Sequence, residues 1–238
     1  MRIDVKKEKN KYRLTSDNLD MLVYEDVIIK YRLLHSTLVD EELLKEIKEY
    51  SFIVDGYYMA RKYLNKPRTI NEVKIYLRNQ NNYHVKIIEM LLNQRYLDDE
   101  LYSNMYLNYQ KNRNLKGIKL IKNELSLKGV DSEILNNLEY GDEQENIDKI
   151  VAKLKKTAKN KSSKALNEYI YHYLKNKGYI DIKFEEVACD ELPLIKKEYE
   201  KLLKKYQKKY SGYELRSKIF NSLYQKGFKD DLINKVIK

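Results

Sequence analysis

The 238-residue chain is poor in the residues that interrupt regular structure: it has two prolines, seven glycines and no tryptophan. This scarcity, beside abundant leucine, isoleucine, lysine and glutamate, excludes a turn-rich β fold and favours helices. One cysteine, Cys189, cannot form an internal disulfide, which is typical of a reducing compartment. No apolar run reaches the roughly 18 residues of a membrane span, and the polar N-terminus is not expected to be a signal peptide. A cytoplasmic protein without membrane contact is predicted.

The motifs of common catalytic and metal sites are also missing. The sequence has no Gly-x-Gly-x-x-Gly, no P-loop and no His-Glu-x-x-His. Its histidines, His35, His84 and His172, stand far apart along the chain. Asp98 and Asp99 are interpreted as helix N-caps rather than as a metal pair. Neither catalytic residues nor a metal site nor a cofactor is therefore predicted.

The composition has an excess of positive charge. The chain has 47 lysines and arginines against 36 acidic residues, a formal net charge of +11. An excess of this size raises the local concentration of phosphate groups and speeds encounters with polyanions. The alternative is a soluble protein whose lysines simply form solvated faces.

An internal repeat is marked by three Lys-Gly pairs, whose glycines Gly129, Gly178 and Gly227 are spaced 49 residues apart. A leucine four residues before each glycine and an isoleucine eight before it share one helical face. A glycine just past the helix end supplies a left-handed backbone, and the preceding lysine suits the negative end of the helix dipole. In an earlier, fourth unit, Asn82 stands in the position of the glycine, because the same offsets counted from it find Ile87, Ile88, Leu91 and Leu92. Asparagine is the next most tolerant residue there.

Each unit is predicted to hold three helices. An earlier helix opens every unit, and in the first unit Thr69 and Glu72 form a T-x-x-E capping box at the start of the second helix. Apolar segments after the repeat position predict the third helices, over residues 87–92, 134–138, 184–188 and 232–237. The pattern predicts a mainly α protein of tandem three-helix repeats forming an elongated, curved array. The predicted boundaries are 51–97 for repeat 1, 98–140 for repeat 2, 141–191 for repeat 3 and 192–238 for repeat 4.

Residues 1–50 lack the repeat and are predicted to form a small N-terminal strand-and-helix region. Short strands are expected over 5–14 and 21–24, joined by a polar turn at 16–18. Two helices are expected to follow, near 25–31 and 40–47, and the second can pack on repeat 1.

Three segments resemble the RecX family. Residues 67–77, Pro-Arg-Thr-Ile-Asn-Glu-Val-Lys-Ile-Tyr-Leu, resemble its Pro-Arg-Ser/Thr-x-x-Glu-Leu/Val-x-x-Tyr/Lys-Leu signature. Residues 95–102, Arg-Tyr-Leu-Asp-Asp-Glu-Leu-Tyr, resemble the stretch where an apolar pair precedes Asp-Asp-Glu and an aromatic residue. Residues 117–130, Gly-Ile-Lys-Leu-Ile-Lys-Asn-Glu-Leu-Ser-Leu-Lys-Gly-Val, resemble its Gly-Pro-x-x-Ile-x-x-Glu-Leu-x-x-Lys-Gly-Ile segment. Two positions depart from the family pattern: Ile118 stands where proline is usual, and Arg95 where glycine is common.

The resemblance implies a regulator of the RecA recombinase that catalyses nothing itself. RecX proteins bind RecA filaments on single-stranded DNA and restrain filament growth, ATP hydrolysis and strand exchange in DNA repair and recombination. The RecA filament and single-stranded DNA, contacted directly or through the filament, are thus the expected partners of a monomeric protein. The alternative is a helical-repeat nucleic-acid-binding or adaptor protein unrelated to RecA.

Two acid-free stretches are the predicted binding surfaces for RecA or DNA, because rows of lysine suit phosphates or an acidic partner surface and make binding salt-sensitive. Solvated faces are the alternative for both. The first basic row consists of Lys111, Arg113, Lys116, Lys119 and Lys122. The second basic row consists of Lys149, Lys153, Lys155, Lys156, Lys159, Lys161 and Lys164. Of the many tyrosines, Tyr206 and Tyr210 are predicted to be the freest for stacking on bases.

Overall fold

The computed structural model describes residues 1–33, 36–158 and 160–237. Its strands are β1 (Arg2–Glu8), β2 (Lys11–Ser16), β3 (Leu19–Val23) and β4 (Ser36–Leu38). Its helices are α1 (Glu25–Tyr31), α2 (Glu41–Tyr63), α3 (Ile70–Arg78), α4 (His84–Asn93), α5 (Asp99–Asn114), α6 (Ile118–Leu127), α7 (Ser132–Asn137), α8 (Gln144–Thr157), α9 (Ser163–Asn176), α10 (Glu191–Tyr206), α11 (Gly212–Gln225) and α12 (Asp230–Val236). The predicted mainly α fold with a small N-terminal strand region is confirmed.

Two compact units make up the chain. One contains residues 1–106 and 124–138, and the other contains residues 107–123 and 139–238. The first unit holds the sheet and helices α1 to α4, and the second holds α8 to α12.

The N-terminal sheet is antiparallel, with the strand order β3-β2-β1-β4. Alternation along β1 and β2 turns Ile3 and Leu14 to one face, where both are fully buried against α1 and α2. The single strand expected over 5–14 is two strands, because Lys9 adopts a left-handed backbone (φ 54°) that reverses the chain. The expected turn before β3 and the helix near 25–31 are confirmed.

Helix α2 is one continuous helix where two helices were expected on either side of residue 50. It begins after the N-cap Asp40 and ends at Tyr63. Its residue Val54 packs into the core beneath the sheet, while the neighbouring Ile53 and Tyr57 pack with α3 and α4. Two adjacent faces of one helix therefore pack into two different cores, so α2 continues without a break between them.

The three repeat glycines have the predicted left-handed backbone. Their φ angles are 82°, 89° and 83° at Gly129, Gly178 and Gly227. The prediction for Asn82 was wrong, because it is not among the described residues with positive φ. Helix α3 ends before it, and the side chain of Asn81 instead closes the turn by accepting a hydrogen bond from the backbone N–H of Tyr83 at 2.8 Å.

The short third helix is confirmed in repeats 1, 2 and 4 as α4, α7 and α12, but it was wrongly predicted in repeat 3. Residues 181–190 contain no helix. The side-chain amide of Asn167 bonds both the N–H and the C=O of Val187, at 2.9 and 3.2 Å, as a neighbouring strand would. Val187 and Phe184 still reach the core of the repeat. The apolar residues are thus buried from an extended segment.

The Lys-Gly pairs lie where the second helices of successive repeats meet. In the first unit the hydroxyl of Thr69 donates to the carbonyl of Lys128 at 2.8 Å. In the second unit the N–H of Gly117 donates to the carbonyl of Lys177 at 2.8 Å. The hydroxyl of Ser162, in the same unit, donates to the carbonyl of Lys226 at 2.7 Å. We call these contacts the Lys-Gly joints.

At Gly129 and Gly178 the glycine is required by space as well as by its backbone angle. A Cβ on Gly178 would lie 2.4 Å from the backbone nitrogen of Leu120, and one on Gly129 would lie 2.3 Å from the side chain of Asn71. Neither position accommodates a Cβ without displacing its neighbour, and at Gly178 the two helices meet backbone to backbone.

Candidate functional site

Part of the first basic row is used inside the protein. The ammonium of Lys111 donates to the carbonyl of Tyr140 at 2.6 Å and lies 4.5 Å from the centre of its ring. The amide of Asn146 donates to the carbonyl of Lys111 at 3.1 Å, and the hydroxyl of Tyr140 donates to the carbonyl of Lys116 at 2.7 Å. Lys111 is therefore part of the internal network that fixes the turn between α5 and α6.

A second tyrosine completes this network. The hydroxyl of Tyr179 donates to the carbonyl of Leu115 at 3.0 Å, and Leu115 itself has a left-handed backbone with φ 48°. Burial raises the pKa of both Tyr140 and Tyr179 above the ordinary value of 10.0. Both hydroxyls therefore remain protonated donors into more alkaline solution than a free tyrosine would.

Lys116 is half-buried, and the remaining three members of the row lie at the surface. Arg113 is exposed on the last turn of α5. Lys119 is exposed and Lys122 half-buried on α6, where both line a groove of about 770 Å³ between α6 and α9. We call this the α6–α9 groove. Its full lining is Ile118, Lys119, Leu120, Lys122, Asn123, Tyr171, Lys175, Asn176, Gly178, Tyr179, Ile180 and Ile182.

The α6–α9 groove combines lysines with an exposed aromatic ring. Lys175 and Tyr171 of α9 lie across from the two lysines of α6, and 45% of the tyrosine is exposed. No aspartate or glutamate is among its lining residues. Sequence reasoning missed Tyr171 and Lys175, since they belong to repeat 3 and the lysines they face belong to repeat 2. The one signal in the sequence that α6 and α9 are neighbours is that each of them ends at a Lys-Gly pair.

The second basic row is divided between paired and free lysines. Lys149 forms an ion pair with Glu145 at 2.6 Å, and this contact lowers the pKa of the glutamate. Lys153, Lys155 and Lys156 are exposed on the last turns of α8. Within the part of the chain that the structure describes, none of these three forms an ion pair. Lysines there also suit the negative end of the helix dipole.

The three free lysines of α8 do not all point the same way. Lys153 and Lys156 continue the stripe of Lys149 at helical spacing. Lys155 lines a separate groove that also contains Asp148, Glu185 and Glu186. Lys155 therefore shares its surface with carboxylates, whereas Lys153 and Lys156 extend the stripe beyond the Lys149–Glu145 pair.

The remaining members of the second row lie beyond α8. Lys161 is half-buried, with its ammonium 4.9 Å from the centre of the Tyr169 ring. Lys164 is exposed in the first turn of α9. Lys159 falls outside the residues that the structure describes.

The tyrosines predicted to be free for stacking are half-buried. Tyr206 packs into the core of repeat 4 and its hydroxyl lies 3.3 Å from that of Ser222. Tyr210 makes an edge contact with the ring of Tyr206. Tyr171 is more accessible than either of them.

The interpretation as an N-cap is confirmed for Asp98, whereas Asp99 is the first residue of α5 and bonds the start of α3 instead. Asp98 accepts a hydrogen bond from the backbone N–H of Leu101 at 2.8 Å, and Asp99 accepts one from Ile70 at 2.8 Å. Across the described ranges, no three histidine, cysteine or acidic side chains are grouped so that they could hold a metal ion. None of the helices in those ranges has the length and apolar character of a membrane span. His35 lies outside the described residues.

Comparison with known proteins gives a consistent result. A family model for the third three-helix domain of RecX matches residues 190–237, which hold α10 to α12. The Regulatory protein RecX of Streptococcus gordonii is 30% identical, over 98% of this chain and 97% of its own length. That of Streptococcus mutans is 32% identical over the same shares. A crystal structure of regulatory protein RecX covers 98% of this chain at 20% identity, with a TM-score of 0.49.

Proposed function

The chain belongs to the RecX family, and from that premise we propose that it regulates RecA by binding RecA filaments on single-stranded DNA. The observation that carries the proposal is the match, at 30–32% identity, to relatives named Regulatory protein RecX along 97% of their lengths. Bound protein restrains filament growth, ATP hydrolysis and strand exchange, as the resemblance to the family implies. It does so without a catalytic step of its own.

Binding is proposed to consist of several weak contacts spread over successive repeats. Each repeat adds a modest, largely electrostatic contribution, and linked contacts reinforce each other through a high effective concentration. Charge supports this, because the protein carries a formal net charge of +11. The exposed lysines Lys153 and Lys156 supply a basic stripe suited to DNA phosphates or to an acidic face of RecA. We extend the proposal to a monomer acting in the cytoplasm.

DNA-dependent ATP hydrolysis by the cognate RecA, with the full chain titrated in, tests the proposal. We expect inhibition at amounts of the protein well below those of RecA, because one molecule at a filament end or groove affects many subunits. Protein that is helical by circular dichroism but has no effect at any ratio contradicts the proposal. Binding to DNA or RNA without any dependence on RecA would then favour the helical-repeat adaptor.

A further inference from the structure

We propose that the α6–α9 groove binds single-stranded DNA directly, with no need for RecA. The inference rests on the proposed function and deepens it, because it assigns one part of the basic surface to DNA rather than to protein.

The charges of the groove suit a phosphate backbone. Lys119 and Lys122 on one wall and Lys175 on the other place three ammonium groups along it, and its lining contains no carboxylate. Glu143 approaches one end, but its carboxylate accepts hydrogen bonds from the backbone N–H groups of Ile118 at 3.0 Å and Ile180 at 3.5 Å. The carboxylate of Glu143 is thus engaged with the protein backbone.

The aromatic side of the groove suits unpaired bases. Tyr171 is 45% exposed on a well-formed helix, so its ring offers a flat apolar face at a fixed place. Ile180, 62% exposed, extends the apolar surface, and the amides of Asn123 and Asn176 can bond base edges. Bases in a duplex are stacked on one another and cannot reach such a ring. A single strand is the polyanion that uses both the lysines and the tyrosine.

The two walls of the groove are held at a fixed distance. The N–H of Gly117 donates to the carbonyl of Lys177 at 2.8 Å, and the N–H of Lys119 donates to the carbonyl of Gly178 at 3.1 Å. The start of α6 is thereby bonded to the end of α9. Lysines on both helices are pre-positioned for one strand, which lowers the entropic cost of binding.

The test is binding of the full chain to fluorescein-labelled oligo(dT), measured by anisotropy over a range of salt concentrations without RecA. Changing Lys119, Lys122 and Lys175 together to glutamine should weaken binding at least 10-fold and lower the salt slope by about 2. Tyr171→Ala should weaken binding about 10-fold without changing the salt slope, while Tyr171→Phe should bind normally, because stacking needs the ring and not the hydroxyl. The matched control changes Lys45, Lys48 and Lys62 to glutamine, which removes the same charge from exposed positions of α2 that belong to neither basic row.

The outcomes separate this inference from the proposed function. Equal losses in the groove and control variants, or full binding by a groove variant with normal circular dichroism, overturn the groove assignment. Wild-type protein that inhibits RecA but does not bind oligo(dT) overturns it as well and leaves the proposed function intact. Groove-dependent oligo(dT) binding without any effect on RecA supports the groove and contradicts the proposed function. Groove variants that bind oligo(dT) normally but no longer bind RecA filaments would show that the groove contacts protein, which also overturns the inference.

Discussion

The carboxylate of Asp99, at the start of α5, accepts a hydrogen bond at 2.8 Å from the backbone N–H of Ile70, the first residue of α3. The same relation occurs twice in the second unit. Glu191 accepts from the first residue of α9 at 2.6 Å, and Glu143 accepts from the first residue of α6 at 3.0 Å. A carboxylate at the start of α5, α8 or α10 thus satisfies a free N–H at the start of α3, α6 or α9, respectively, where the helix dipole also favours negative charge.

Asp99→Ala should lower the free energy of unfolding by about 1–2 kcal/mol, because the N–H of Ile70 loses its partner. Asp99→Asn should cost less, since an amide oxygen still accepts the bond and carries no charge. Burial raises the pKa of Asp99, so its charged form is disfavoured at this site. Urea denaturation at pH 7 measures both variants. Equal losses for alanine and asparagine would contradict this role.

Glu72→Gln should destabilise the protein at pH 7 but not in acid. Burial disfavours the charge of Glu72, yet a 2.8 Å hydrogen bond from Lys128 and one from the Thr69 N–H outweigh it and hold its pKa below the ordinary 4.5. Folding therefore favours the ionised form, and this stabilisation is complete above pH 4.5 and disappears as the pH falls through the lowered pKa. We expect a loss of about 1 kcal/mol in urea unfolding at pH 7, which shrinks as the pH falls below 4.5.

Glu49→Gln is the control for that measurement. Glu49 pairs with Lys86 at 2.9 Å, a distance close to that between Glu72 and Lys128, but 59% of the lysine side chain is exposed. An exposed pair contributes little, so this variant should not differ measurably from wild type at pH 7 or in acid. A pH-independent difference for Glu72→Gln would show that its hydrogen-bond geometry, and not its charge, matters.

Gly178→Ala should be far more destabilising than Gly212→Ala. Both residues have a left-handed backbone, with φ of 89° and 56°, and both substitutions pay the same modest conformational cost. Only Gly178 has a neighbouring backbone atom, the nitrogen of Leu120, at 2.4 Å from an added Cβ, whereas Gly212 has nothing within 4 Å. Thermal unfolding should show an extra loss of at least about 2 kcal/mol for Gly178→Ala. Similar melting temperatures would mean that the two helices of the Lys-Gly joint can move apart to accommodate the added methyl group.

Changing Lys153, Lys155 and Lys156 to glutamate should weaken binding to RecA filaments and make the remaining binding less dependent on salt. Lys149→Glu is not a clean control, because it leaves Glu145 beside a second carboxylate; Lys149→Gln is better. That variant should change binding little, as the lysine is already paired. Unchanged affinity and salt slope in the triple variant would remove the second basic row from the binding surface.

Local features of this fold could be predicted from the sequence wherever a backbone conformation or a helix end requires one particular type of residue. Gly129, Gly178 and Gly227 adopt the expected left-handed backbone. Thr69 and Glu72 form the expected capping box. The extended segment after Gly178 was missed for a local reason too: Ile180, Ile182 and Phe184 alternate with polar residues, and that period of two is a strand pattern.

Features that depend on distant partners could not be predicted in this way. The ammonium of Lys111 is engaged by Tyr140, 29 residues along the chain, and nothing in the local sequence distinguishes it from the exposed Lys119. Tyr171 and the lysines that face it are about one repeat apart. The sequence pattern located the basic stretches, but only the packing of α6 on α9 determines which of their side chains share a surface.

The Lys-Gly joints also bear on how such a protein can evolve. Their acceptors are main-chain carbonyls, and the N–H of Gly117 is a main-chain donor, so neighbouring side chains can drift while the spacing of repeats is inherited. Ile118 illustrates this freedom. It occupies a position where the family usually has proline, which lacks an N–H, and here the additional N–H is taken up by Glu143. A lineage can therefore exchange residues at a joint one pair at a time, and divergence to about 30% identity need not alter the register between repeats.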